Sequence, residues 1–130
     1  MASPSETLKG GALNAAISNA VVGVLGEYVG RGPTKVRTIH SGKLVLCVLE
    51  NTMTKTERSL AAGGQEAFVL EMRHALQHTM RADLTAAVEA LTHRKVGAFL
   101  SASHIDPDLA TEVFVLEEPL AVAAEEGERE

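Results

Sequence analysis

The chain has 130 residues, 45% of them hydrophobic, 3% aromatic and none tryptophan, with a formal charge of −5. That length supports one domain with a real core, and the scarcity of aromatics hands the interior to Leu, Val, Ala and Met and leaves few platforms for stacking nucleobases. Six of the 17 acidic residues and one of the 12 basic ones follow Leu116, so the body is balanced at 11 and 11 and lacks the basic excess that nonspecific nucleic-acid binding needs.

With Ile17 as reference, Leu13, Ala20, Val21, Val24 and Tyr28 fall on one helical stripe, which predicts an amphipathic helix from about Glu6 to Val29. Its opposite side gathers Ala12, Ala15, Asn19, Gly23 and Gly26, a smooth surface suited to close approach by another helix or a second copy. The uncharged run from Gly10 to Gly26 is poor both as a signal peptide and as a bilayer span, because it carries Asn14, Ser18 and Asn19 and only Lys9 before it.

The next stretch, YVGRGPTKVR, resembles a phosphate loop but follows a helix, at the negative end of its dipole. Gly30 is placed for a left-handed cap and Pro33 prevents the helix from resuming, so the stretch reads first as a stop. Arg31, Lys35 and Arg37 are the candidates for an additional anion contact.

Two extended segments come next, Lys35–His40 and Lys43–Glu50, joined at Ser41 and Gly42. The second is apolar on both faces (Leu44, Leu46, Val48; Val45, Cys47, Leu49) and belongs inside a sheet, covered on both sides or by a second subunit. Cys47, the one cysteine, has no internal partner and reads as a buried, inert thiol of a reducing cytoplasm.

Thr54 and Glu57 form a capping box that opens a short helix from Lys55 to Ala62, ended by Gly63 and Gly64. A longer helix runs from Gln65 to about Thr92, with Val69, Met72, Leu76, Met80, Ala87 and Leu91 as its buried stripe and His74, His78, Arg81 and Thr85 opposite. His93, Arg94 and Lys95 stand at its negative end. Strands KVGAFLSAS and TEVFVLEE close the domain around a turn that contains Asp106, Pro107 and Asp108. The expected fold is α+β: helix, β-hairpin, two helices, β-hairpin, with a four-stranded, mostly antiparallel sheet and helices on one face. Residues 1–120 form a single domain and 121–130 an acidic tail expected to be disordered.

Few side chains announce chemistry. His74 and His78 have metal-pair spacing, but HALQH lacks the glutamate of a zinc-protease motif, and the proline inside His104–Asp106–Asp108 argues for a turn; no metal or cofactor is expected. Ser41, Ser59, Ser101 and Ser103 lie in no nucleophile elbow, so catalysis finds no support, and an enzyme using His74 or His104 is a third choice that requires bound metal. Arg73 falls at the edge of an apolar stripe and needs Glu50, Glu57, Glu112 or an anionic ligand as partner.

The runs from Tyr28 to Ala61 and from Leu91 to Glu118 resemble the MpsC-like family, a small domain named after a sodium-translocating, membrane-potential-generating system. The resemblance rests on Gly30, Gly32 and Pro33, on Thr54 to Leu60 with Glu57, on Arg73 and on Val113 to Leu116; His93 departs from it, standing where glycine is commoner. It implies a link to membrane systems that move cations or bicarbonate, and transfers no catalytic residue. The combined expectation is a non-catalytic, cytoplasmic accessory or regulatory domain, homodimeric, that binds a partner protein, such as a membrane transport subunit, or a small anion, with Arg31, Lys35, Arg37 and Arg73 as ligand candidates. The alternative is an RNA-binding module with a basic strip along Arg31, Lys35, Arg37 and Lys43.

Overall fold

A computed structural model describes residues 8–33 and 35–121. The acidic tail after Ala121 therefore lies outside the described residues, as does the first part of the expected opening helix. Helix α1 spans Gly10–Val29, strands β1 Lys35–Ser41 and β2 Leu44–Glu50, helices α2 Lys55–Ala62 and α3 Glu66–Thr92, and strands β3 Val96–His104 and β4 Leu109–Leu116. The strands form one antiparallel sheet in the order β1-β2-β4-β3, with α1 and α3 packed on one face and α2 against α3. The α+β architecture expected from the sequence is the one observed, and β2 occupies the interior position its two apolar faces called for.

Helix α1 starts at Gly10, after Lys9, which is extended (φ −139°, ψ 162°) and offers no side-chain cap; Glu6 lies outside the described residues. At its other end Gly30 takes the left-handed conformation (φ 86°) and its N–H bonds the Gly26 carbonyl at 2.9 Å, the expected stop. By length and composition α1 could cross a membrane. Here Leu13, Ile17 and Val21 form its buried stripe, facing the sheet and α3. Tyr28 departs from the expected stripe: it is exposed, and its hydroxyl donates to Asp83 Oδ2 at 2.7 Å, tying α1 to α3 through the polar tip of an amphipathic ring.

The first hairpin turns at Gly42 and Lys43, one residue later than expected, since Ser41 pairs with Leu44. Gly42 at the first central position takes φ 59°, which a two-residue hairpin turn needs and a serine would resist. The second hairpin shifts as well: β3 ends at His104, paired with Leu109, leaving Ile105–Asp108 as the turn.

Helix α3 opens at Glu66, with Gln65 as its N-cap. It also buries a different line from the one expected. Val69, Gln77, Met80, Leu84, Val88 and Thr92 are buried, whereas Met72, Leu76, Ala87 and Leu91 flank them half-buried. The helix packs between α1 and β3, so the centre of its inward face is turned toward positions that include two polar residues. Those two are satisfied: Gln77 Nε2 donates to Ser103 Oγ at 2.9 Å and Thr92 Oγ1 to the Val88 carbonyl at 2.8 Å. His93 caps the helix in the left-handed region (φ 58°), its backbone N–H donating to the Glu89 carbonyl at 2.9 Å, at a position that glycine usually takes.

Phe114 is fully buried near the centre of the inner sheet face and meets Phe99 at a ring-centroid distance of 5.1 Å. Phe114→Ala is expected to cost about 3–5 kcal/mol, the sum of lost transfer energy and an unfilled cavity. Urea unfolding monitored by circular dichroism checks this; a loss below about 1 kcal/mol would mean that the inner face is not the core.

Candidate functional site

Strand register places Thr38, Cys47, Glu112 and Ser101 side by side across the sheet. All four point toward the helices, so a polar row crosses an inner face that is otherwise mostly apolar. It lies between the row of Val45 and Phe114 and the row of Leu49 and Ala110. Helix α1 meets the row at Thr38, whose hydroxyl is 2.7 Å from Ser18 Oγ. Thr38 Oγ1 in turn lies 3.4 Å from Cys47 Sγ. Burial pushes the Cys47 thiol up to about 11, an effect that the Thr38 contact opposes and Glu112 reinforces. At neutral pH Cys47 is thus a protonated packing group and no nucleophile.

Glu112 is the unusual member of the row. It is 1% exposed, and its Oε1 has no hydrogen-bond partner. Ser101 Oγ, across the β3–β4 pair, is buried without a partner as well. Burial pushes the Glu112 carboxyl up to about 7, and the nearby Ser101 hydroxyl and Arg73 guanidinium only partly counter it.

Arg73 reaches the same region from α3, held on three sides. Its Nε donates to Ser103 Oγ at 3.1 Å, Nη1 to Glu57 Oε1 at 3.2 Å and Nη2 to Thr52 Oγ1 at 2.7 Å. Glu57 is buried, and the same Oε1 accepts the Thr54 N–H at 2.8 Å, while the Glu57 N–H donates to Thr54 Oγ1 at 3.1 Å. The expected capping box therefore does two jobs: it starts α2 and presents a carboxylate to Arg73. Of the three carboxylates expected as partners for Arg73, Glu57 makes the ion pair, with both side chains about one-tenth exposed.

Arg31 closes the site from the loop after α1. It donates to the Met53 carbonyl at 2.6 Å and the Asn51 carbonyl at 3.1 Å, pinning that loop to the segment before α2. The same segment is fixed from the other side by Asp108, which accepts from Thr52 Oγ1 at 2.9 Å and the Met53 N–H at 3.0 Å and pairs with Arg58 at 3.4 Å. Burial alone would raise the Asp108 pKa, but these hydrogen bonds, with Arg58 beside them, outweigh it and leave the carboxyl below its ordinary range. Asp108 is thus engaged in holding the loop, and among the described residues no three His, Cys, Asp or Glu side chains gather as a metal centre would need.

Between these groups lies a cavity of about 30 Å³, walled by Leu25, Val29 and Met80 and lined by Arg31, Arg73, Glu57 and Glu112. That volume holds roughly one or two water-sized groups, which rules it out as an enclosed seat for a nucleotide or sugar phosphate. Two of the four expected ligand residues, Arg31 and Arg73, thus share one cavity. Lys35 and Arg37 do not join them: both are exposed on β1, in the alternation phase opposite to buried Thr38, on the outer face of the sheet. Lys43 is exposed in the hairpin turn, so Arg31 is separated from the other members of the basic strip. His74 and His78 remain exposed beside a second, shallower cavity with Gln77, Arg81, Phe99 and Ser101.

In the sequence Glu112 stands out only as a possible partner for Arg73. Its further signal is the alternation of β4, where it stands in phase with Ala110, Phe114 and Leu116, a single acid on a strand face that is otherwise apolar. Because the folded pKa lies above the ordinary glutamate value of 4.5, the folded state binds this proton more tightly. Stability from Glu112 is then full below about pH 4.5 and is lost as pH rises through about 7. Between about pH 5 and 8 the loss amounts to about 2–3 kcal/mol. Urea midpoints across this range should fall in the wild type and fall much less in Glu112→Gln; equal slopes in the two proteins would show that Glu112 does not carry the effect.

The sequence pattern of a known family, described as the Na+-translocating membrane potential-generating system MpsC, matches residues 9–118. No curated protein and no solved structure matches the chain. The matched span runs from the residue before α1 to just past β4 and contains every residue that lines the Arg73 cavity. The chain belongs to the MpsC family.

Proposed function

We propose that this protein is a non-catalytic, cytoplasmic accessory component of an Na+-translocating membrane system, working as a homodimer that binds a partner protein or a small anionic ligand. The observation that carries the assembly part is the outer face of the sheet. Ile39, Leu46, Val113 and Leu100 are register neighbours in one unbroken aliphatic row four strands wide, with Leu44 and Val115 in the row beside it. Ile39 is 52% and Leu100 56% exposed, and α1 and α3 lie on the other face. A second copy is the occupant that fits. The row itself carries no charge, so two copies related by a two-fold axis can meet along it, with Arg37 in the adjoining row on the same face.

The ligand part of the reading draws on Arg31 and Arg73, which meet at a cavity too small for a large metabolite. The family's description supplies the association with sodium translocation. Light scattering during size-exclusion chromatography at tens of micromolar is expected to give twice the chain mass. Leu46→Glu, which places a carboxylate in the middle of the aliphatic row, is expected to give the monomer mass with unchanged far-ultraviolet circular dichroism. A wild-type protein that elutes only as monomer would remove the dimer from this reading.

A further inference from the structure

The charges around the cavity that Arg31 and Arg73 share do not balance in a single way. Arg73 is paired with Glu57. Arg31 is held by two neutral carbonyls, and among the described residues no carboxylate lies within ion-pair distance of it. Glu112 is buried with an unpartnered oxygen and lines the same cavity.

The groups around Glu112 are Arg73 from α3, Glu57 from α2, Arg31 from the loop after α1 and Cys47 from β2, with the hydroxyls of Thr38 and Ser101 from β1 and β3; α1 lines the cavity with Leu25 and Val29 and meets Thr38 through the Ser18 hydroxyl. When Glu112 is ionised, the two guanidiniums and two carboxylates that line the cavity balance, and a second anion would then be forced beside a carboxylate in a poorly solvated space. When Glu112 is protonated, one guanidinium is left without an anionic counterpart. Both charges are satisfied together when a monoanion and a proton are present at once.

We propose, resting on the anion-binding role given to Arg31 and Arg73 under the proposed function, that this cavity takes up a small monoanion of about formate size together with one proton. The anion sits on the guanidinium side and the proton on the Glu112 carboxyl. The size comes from the volume of about 30 Å³. Donors for the anion are at hand: a guanidinium has about five N–H groups, of which Arg31 spends two on backbone carbonyls and Arg73 three on Ser103, Glu57 and Thr52. The proton comes from solvent and no covalent bond changes. The raised position of the Glu112 carboxyl, near neutral pH, makes this exchange available under ordinary conditions. Linkage then makes the anion hold the proton as firmly as the proton holds the anion.

Sodium formate, added at constant ionic strength to isotope-labelled full-length protein, is the probe. Nuclear magnetic resonance of the Gln77 side-chain amide reports occupancy, and the Glu112 carboxyl carbon reports its proton. In the wild type the formate Kd should rise about tenfold from about pH 6 to 8, and saturating formate should move the Glu112 midpoint upward. Glu112→Gln, a neutral isostere of the protonated acid, should bind formate with less than about a twofold change over that range. A wild-type Kd equal at both pH values, with the Gln77 amide still responding, overturns proton uptake and leaves the anion site standing. No response of the Gln77 amide at about pH 6 with about 0.1 M formate, in either protein, overturns the anion site and proton uptake with it.

Discussion

A carboxyl buried under a helix on the inner face of a sheet constrains most of what surrounds it. Glu112 stands in phase with the core residues of β4, so the fold must either neutralise it or supply a cation. Arg73 comes from the helix above but is already committed to Glu57, Thr52 and Ser103. The geometry of that guanidinium in turn fixes where α2 can start, because Glu57 is both cap and counter-ion. The segment leading into α2 is then held by Arg31 on one side and Asp108 on the other. Five separate parts of the chain are thereby anchored around one small cavity, and removing one member of such a buried network leaves the others uncompensated.

The two faces of the sheet divide the work. The inner face joins an apolar core, centred on Phe114, to a polar row at Glu112. The outer face carries an aliphatic row across all four strands, with Lys35 and Arg37 toward one end of β1, and bears no helix among the described residues. Burial of such a face is favourable by about 25 cal/mol per Å² of apolar area removed from water, and this is the driving force on which the proposed dimer relies. The family is described by a sodium-translocating membrane system, and the role proposed for this domain is one of assembly and sensing of small ions in support of such a system.

Much of this is legible in the chain. Gly30 with Pro33 marks the end of α1, Thr54 with Glu57 marks the start of α2, and the two-sided apolar pattern of Leu44–Leu49 places β2 inside the sheet. These signals are local, set by backbone conformation or strand alternation, and they survive any tertiary arrangement. The buried line of α3 is less legible because a helix wedged between a neighbouring helix and a strand is buried over a wide arc, and hydropathy alone does not anticipate that Gln77 and Thr92 find partners inside it. The site is legible in part. Arg73 stands out as a charge at an apolar edge, but Arg31 and Arg73 are 42 positions apart in the numbering and meet only through packing. Lys35 and Arg37 group with Arg31 by proximity along the chain, whereas strand alternation sends them to the other face.

The proposed behaviour of the cavity turns on Glu112 being a neutral acid inside the folded protein just below neutral pH, free to exchange its proton as the surrounding charge changes. Infrared difference spectroscopy of glutamate-labelled protein against Glu112→Gln reads that state directly. The prediction is a protonated-carboxyl band at about pH 6 that belongs to Glu112 and fades toward pH 8. A Glu112 carboxylate already fully ionised at about pH 6 would contradict it.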